Sequence, residues 1–255
     1  MLGNAHNQAV EDEDQNLELG PLFMRWVRDS LRARGFCKSL AYLAAQGWSL
    51  LRDSMPERRR SRFGDIDYDC AYGFDTTWAR LSWGVRLREV FTERLYQPTV
   101  PAEFSEILQQ LARVDFTSFT FIDLGSGKGR ALLLAAAYPF QHIIGVEVQA
   151  ELHAVAEENL SRLRENGSKI DAHSICLDAR EFIFPPDPLV VYLFNPFPDY
   201  VLSTVIDNLR ISLARHPRPV YVIYNAPFEQ HVIEKVDFLC KIVHTHQYEI
   251  YQAGG

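Results

Sequence analysis

The residues best placed to do chemistry lie in the run Phe121-Ile122-Asp123-Leu124-Gly125-Ser126-Gly127-Lys128-Gly129-Arg130. Alternating glycines let the backbone turn sharply and let a ligand approach the main chain. An apolar stretch precedes the run and a helical one follows it, so the N–H groups at the helix start can receive an anionic group such as a carboxylate. A phosphate-binding loop needs G-x-x-x-x-G-K-[ST], and here Lys128 is followed by Gly129. A dinucleotide fingerprint needs G-x-G-x-x-G, and here Arg130 takes the sixth position. What remains is D-x-G-x-G-x-G. Lys128 and Arg130 read as solvated or salt-bridged cations.

Other chemical groups stand at comparable places. Glu147 falls at the end of the β-branched run His142–Val148, and Asp178 follows a further run in Cys176-Leu177-Asp178-Ala179-Arg180. After the apolar run Leu189–Phe194 comes Asn195-Pro196-Phe197-Pro198, and upstream lies Asp67-Tyr68-Asp69-Cys70-Ala71-Tyr72-Gly73-Phe74-Asp75-Thr76. His173 and His231 are possible bases but read as satisfied surface histidines.

These groups need elements to hold them. The pattern predicts strands at 119–124, 142–148, 172–177, 189–194 and 220–224, alternating with helices at 131–138, 151–165 and about Leu202–Leu213. Gly167 is placed to end the second of these helices. Before them, Phe104, Ile107, Leu108 and Leu111 mark a short amphipathic helix. Apolar strands alternating with helices indicate a parallel sheet covered on both faces, with ligands beyond the carboxyl ends of its strands. The runs 238–245 and 248–252 leave no room for a crossover helix, so they should pair antiparallel.

With Asp123, Gly125, Gly127 and Gly129 in register, the glycine run resembles the first motif of class I S-adenosylmethionine-dependent methyltransferases. The resemblance implies an α/β, Rossmann-like, seven-stranded, mostly parallel sheet with an antiparallel terminal pair, plus an N-terminal helical cap in this chain. S-adenosyl-L-methionine would be the cofactor, held by Asp123, Gly125, Ser126, Gly127, Gly129, Glu147, Asp178 and Ala179. Glu147 would accept hydrogen bonds from the ribose hydroxyls, and Asp178 would contact the adenine amino group. Asn195 at the fourth strand end resembles the [DNS]-P-P-[FYW] motif of methyltransferases acting on planar nitrogens, although the second proline is missing and Phe197 comes one position early. The stretch with Tyr72, Gly73, Asp75 and Thr76 resembles the Y-G-E-T loop of the non-SET histone-lysine methyltransferases, with Phe74 as an extra residue and Asp75 as a shorter acid. Those enzymes also carry an asparagine and a nearby phenylalanine after the fourth strand. Asn195, Pro196, Phe197, Tyr72 and Asp75 are therefore the catalytic candidates, and Thr76 and Asn195 join the cofactor set.

The reaction so implied is in-line displacement at a sulfonium methyl by a nitrogen nucleophile, in which positioning and exclusion of water matter more than proton transfer. A protein lysine is the first target considered. A nucleic acid or small molecule is the alternative, and a catalytically inactive cofactor-binding scaffold a third reading. No metal ligand set is expected.

Composition is consistent with a soluble globular chain. Its 255 residues are 47% apolar and 23% charged, which excludes wholesale disorder, collagen and coiled coil. No apolar run approaches the roughly 20 residues of a membrane span. The polar start does not read as a signal peptide, and Cys37, Cys70, Cys176 and Cys240 read as reduced thiols, so the expected compartment is cytoplasmic. The net charge of −7 hides a pattern: residues 1–20 hold five acids and no bases, and residues 21–62 hold ten Arg or Lys against three acids. We therefore expect a disordered acidic segment (1–20), a helical cap and cofactor-closing loop (21–100) and a catalytic domain (101–255). The basic stretch reads as two amphipathic helices packed on the main domain with solvated arginines. A surface facing a polyanion or substrate, and adsorption to an anionic membrane, are the alternatives.

Overall fold

Phe121, Ile122 and Leu124 are fully buried in β1 (Thr120–Leu124), a strand whose every residue is covered. Such a strand suits only the middle of a sheet with helices on both faces. The computed structural model describes residues 19–53, 66–77, 98–194, 197–227 and 229–254, which divide into two units, 1–98 and 99–255.

In the second unit, α4 (Pro101–Gln109) opens with proline at its first turn and buries Phe104, Ile107 and Leu108. After β1 come α5 (Arg130–Ala135), β2 (His142–Glu147), α6 (Ala150–Glu165), β3 (Ala172–Cys176), β4 (Leu189–Phe194), α7 (Asp199–Arg215) and β5 (Val220–Asn225). The chain ends with α8 (Gln230–Glu234), β6 (Cys240–His244) and β7 (Tyr248–Ala253). The seven strands run in the order β3-β2-β1-β4-β5-β7-β6, with β7 antiparallel to both its neighbours and the rest parallel. This is the α/β, Rossmann-like, seven-stranded and mostly parallel sheet expected from the sequence. Periodicity does not reveal that β7, rather than β6, lies against β5, nor that the short α8 precedes the final hairpin.

The chain leaves β1 for β2 and β3 on one side and returns to β4 and β5 on the other. That reversal opens a crevice at the carboxyl ends of β1 and β4. One side of the sheet packs on Val201, Leu202, Val205, Ile206 and Leu209 of α7. The other carries rings: Phe104 meets Phe121 edge-on at 5.8 Å and Tyr192 at 5.6 Å.

Two charged side chains tie the periphery together. The Arg218 guanidinium donates to the Asp187 and His216 carbonyls, both at 2.7 Å, and to Ser212 Oγ at 2.9 Å. It thereby anchors the end of α7 to the β4 and β5 entries. In the final hairpin, Glu249 is wholly buried and accepts from Lys241 Nζ at 2.7 Å and from the Tyr251 hydroxyl, with His244 Nδ1 also 2.7 Å away.

In the first unit, α1 (Leu19–Arg34) and α2 (Phe36–Asp53) are joined by Gly35, whose φ of +76° only glycine adopts readily. They meet through Trp26 stacked on Tyr42, 5.7 Å between centroids, and through the Ser30 and Ser39 hydroxyls 2.8 Å apart. Of the residues read as their apolar faces, Trp26 is buried, whereas Leu31 and Leu40 are exposed. A third helix, α3 (Ile66–Tyr72), leads into the loop at Gly73.

Candidate functional site

The turn after β1 is left-handed three times, with φ of +81° at Gly125, +52° at Gly127 and +81° at Gly129. A side chain at any of them would strain the backbone. The loop is fixed from two directions. Gly125 and Ser126 donate their N–H groups to the Val146 carbonyl at 2.8 and 3.0 Å. Asn159, from α6, donates to the Lys128 carbonyl at 2.9 Å.

Glu147 ends β2 with both carboxylate oxygens engaged. Oε2 accepts from Gly127 N at 2.8 Å and Oε1 from Gln149 N at 2.9 Å. Each oxygen keeps a second lone pair for another donor. Asp123 and Glu147 are both buried. Burial first, and the Glu147 charge second, push the Asp123 carboxyl up to about 8. Burial likewise raises Glu147, although its backbone hydrogen bonds to Gln149, Gly127 and Val148 oppose the shift. Ser126 Oγ is buried with no hydrogen-bond partner among the described residues.

Asp178 caps the short 3-10 turn Ala179–Glu181, accepting from Arg180 N at 2.8 Å. Although burial raises its pKa, the hydrogen bonds and charge of Arg180, whose Nη2 is 2.7 Å away, bring it below the usual carboxylate range. Ala179 is buried beside it. The structure thus brings Asp123, Gly125, Ser126, Gly127, Gly129, Glu147, Asp178 and Ala179 to the carboxyl ends of three adjacent strands.

Asn195 and Pro196 lie outside the described residues. Phe197 is half-buried just before α7. Tyr72, Asp75 and Thr76 belong to the other unit. There Asp69 organises the loop: it accepts from Thr76 N at 2.8 Å, Thr76 Oγ1 at 2.5 Å and Thr77 N at 3.0 Å. Thr76 is fully buried, Asp75 half-buried, and Tyr72 exposed with its ring stacked on Phe74 at 5.9 Å.

Features of four residues at the loop escape the sequence reading. Lys128 and Arg130 are 1% and 2% exposed, which excludes the solvated half of their reading. Their types suggest the surface, whereas α6 packs on the loop, with Asn159 bonded to the Lys128 carbonyl. Asn159 occupies an apolar-face position of α6, three residues after Ala156, and that is the signal which could have identified it. Gly145 looks like an ordinary strand glycine. A Cβ there would lie 2.6 Å from Leu132 Cδ1 and 2.8 Å from Ser126 Oγ.

His231 Nε2 lies 3.0 Å from Asp199 and its Nδ1 3.6 Å from Glu229, an exposed cluster occupied by its own contacts. All four cysteines are free and exposed. Among the described residues, no helix is long and apolar enough to cross a membrane.

The model of the family described as "Histone methylation protein DOT1" matches residues 84–177. The match takes in Asp123, the glycine loop and Glu147, ends one residue before Asp178, and covers well under half of the chain. No curated protein matches significantly. Solved structures similar to the chain include a ribosomal protein L11 methylase from Lactobacillus delbrueckii subsp. bulgaricus, 15% identical, with a TM-score of 0.42, covering 60% of this chain and 78% of that one. A magnesium protoporphyrin IX methyltransferase from Synechocystis PCC 6803 with bound SAM is 13% identical, TM-score 0.44, covering 76% and 93%. An RNA methyltransferase from Salinibacter ruber in complex with S-adenosyl-L-homocysteine is 20% identical, TM-score 0.38, covering 61% and 92%.

Proposed function

We propose that this chain, which has the class I S-adenosylmethionine-dependent methyltransferase fold and S-adenosyl-L-methionine as its cofactor, transfers a methyl group to a nitrogen nucleophile, a protein lysine in the first instance. The observation that carries the reading is Glu147. Its carboxylate is locked by Gly127 N and Gln149 N at the end of β2, with lone pairs to spare beside a left-handed glycine loop. Bound S-adenosyl-L-methionine supplies an electrophilic methyl on a sulfonium.

The residues present fit that group. In this reading Glu147 accepts from the ribose hydroxyls, the glycine loop lets the ligand approach the main chain, and Ser126 Oγ gains the partner it lacks. Glu147 contributes negative charge that suits a cationic ligand, and Asp123 adds to it once its proton leaves. Asp178, already oriented by Arg180, presents its remaining lone pairs to the adenine amino group, with Ala179 beside it. Asn195, Pro196 and Phe197 orient the accepting nitrogen. A lysine acceptor must first lose its proton, and methyl transfer then depends on alignment and on exclusion of water. Tyr72, Asp75 and Thr76 stay in the candidate set through their resemblance to the Y-G-E-T loop. We assign catalysis to residues 101–255 and place the protein in the cytoplasm.

The second reading rests on Asn195-Pro196-Phe197, whose likeness to the planar-nitrogen motif favours a nucleic acid. The test is transfer of labelled methyl from S-adenosyl-L-methionine into a cell extract, followed by protease or nuclease. Protease-sensitive label that yields methylated lysine on hydrolysis is the expected result. Nuclease-sensitive label would replace the lysine reading with the nucleic-acid one. Label confined to small molecules would overturn both.

A further inference from the structure

We infer that the α1–α2 hairpin is an interfacial anchor for an anionic lipid surface. The contacts Trp26–Tyr42 and Ser30–Ser39 run down one helix as they run up the other, so the pair is antiparallel. At about 100° per residue, Met24 and Leu31 follow the buried Trp26–Ser30 stripe of α1 in one rotational sense. Phe36 and Leu40 follow the Ser39–Tyr42 stripe of α2 in the same sense, whereas Trp48 falls on the face of α2 away from α1. Antiparallel helices turned alike from their contact present Met24, Leu31, Phe36 and Leu40 on one side of the pair.

That side is apolar and open. Met24 is 65% exposed, Phe36 70% and Leu40 57%, with Leu31 at 40%. Arg28 and Arg32, both exposed, border the α1 stripe on its far flank. Residues 19–53 hold six Arg or Lys against two Asp, a net +4 within a chain of net −7.

Large apolar side chains bordered by arginines are the chemistry of a helix lying in a lipid interface. The competing occupants each fit half of it. A second copy would bring +4 against +4, and a nucleic acid would leave the apolar residues in water. An anionic bilayer takes both, with the apolar side chains among the acyl chains and the guanidinium groups at the headgroups.

The test uses the full chain with phosphatidylcholine vesicles that either lack phosphatidylglycerol or contain it at about one third. The expected result is co-sedimentation with the anionic vesicles and not with the neutral ones. Phe36→Glu with Leu40→Glu should abolish sedimentation. Arg28→Glu with Arg32→Glu should lower the partition coefficient on the order of tenfold or more. Ile183→Glu, at an exposed apolar position of the other unit (86%), should change nothing. Far-ultraviolet circular dichroism verifies that the variants fold. The inference is overturned by equal partition into both vesicle types, by no partition into either, or by binding that survives Phe36→Glu with Leu40→Glu. A dimer in solution that this double variant dissociates, with no vesicle binding, would assign the face to a second copy instead.

Discussion

At the residue scale, the decisive feature is a carboxyl kept from ionising until about pH 8. Asp123 sits among apolar neighbours within the field of Glu147, so in the free chain it holds a proton at neutral pH. A ligand carrying ammonium and sulfonium charge favours the carboxylate, so that proton must leave on binding. Cofactor affinity is therefore expected to fall as pH drops below about 8, by up to about tenfold per unit. Isothermal titration from pH 6 to 9 would measure this, and Asp123→Asn should flatten the profile while weakening binding. A profile that stays steep in Asp123→Asn would assign the proton elsewhere. Asn195 allows a separate test at this scale. Asn195→Ala should reduce turnover by about 100-fold or more, on the order of the loss from removing one oriented catalytic group, and weaken cofactor binding far less, because the glycine loop, Glu147 and Asp178 remain to hold the ligand. Unchanged turnover would favour the scaffold reading.

At the element scale, the glycine loop is shaped by what packs behind it. Gly145 in β2 and Ser126 in the loop approach so closely that no Cβ fits between them. Gly145→Ala should push the loop from its place, weakening cofactor binding roughly tenfold or more and costing about 1–3 kcal/mol of stability. Equilibrium dialysis and urea melts measure the two effects, and a wild-type dissociation constant would show that the loop accommodates a methyl group. Arg218 has a different task. It donates to the Asp187 and His216 carbonyls, before β4 and after α7, and adds a second donor to the Ser212 carbonyl. Arg218→Ala is expected to destabilise the fold by about 2–4 kcal/mol in urea melts, with cofactor affinity unchanged in the fraction that folds.

At the scale of the whole molecule, buried acids of opposite sign set the response to pH. Asp123 and Glu147 have raised folded pKa values, so the stability they contribute is present at acid pH. It is lost as pH climbs through the folded values, from 3.8 to about 8 for Asp123. Burial also raises Glu249, but its hydrogen bonds to Lys241, Tyr251 and His244, with the Lys241 charge, leave it lowered. Asp178, lowered by Arg180 against its own burial, behaves alike. The stability from both is present above the ordinary carboxylate range and lost as pH falls below it. The cofactor-free chain should therefore melt highest within the ordinary carboxylate range, about pH 4, and saturating cofactor should move that maximum upward. Differential scanning fluorimetry across pH checks both, and a maximum that the cofactor does not move would contradict the assignment of Asp123.

How much of this was legible depended on whether a cause acts locally. The strands, their helices and the antiparallel final pair followed from hydrophobic period and chain length, because a strand covered on both faces must be apolar throughout. Asp123, Gly125, Gly127, Gly129 and Glu147 were legible for a similar reason: left-handed φ values demand glycine, and an acid at a strand end faces the crevice whatever surrounds it. The burial of Lys128 and Arg130, the anchoring of the loop by Asn159 and the close approach at Gly145 were not legible, since each depends on residues distant in sequence that packing brings together. The order of β6 and β7 and the exposed apolar side of the α1–α2 hairpin belong with them. Sequence by itself determined which elements form and which side chains can do chemistry. Only the tertiary structure decided which charges are buried and which apolar faces remain open, because both depend on the company a residue keeps in space.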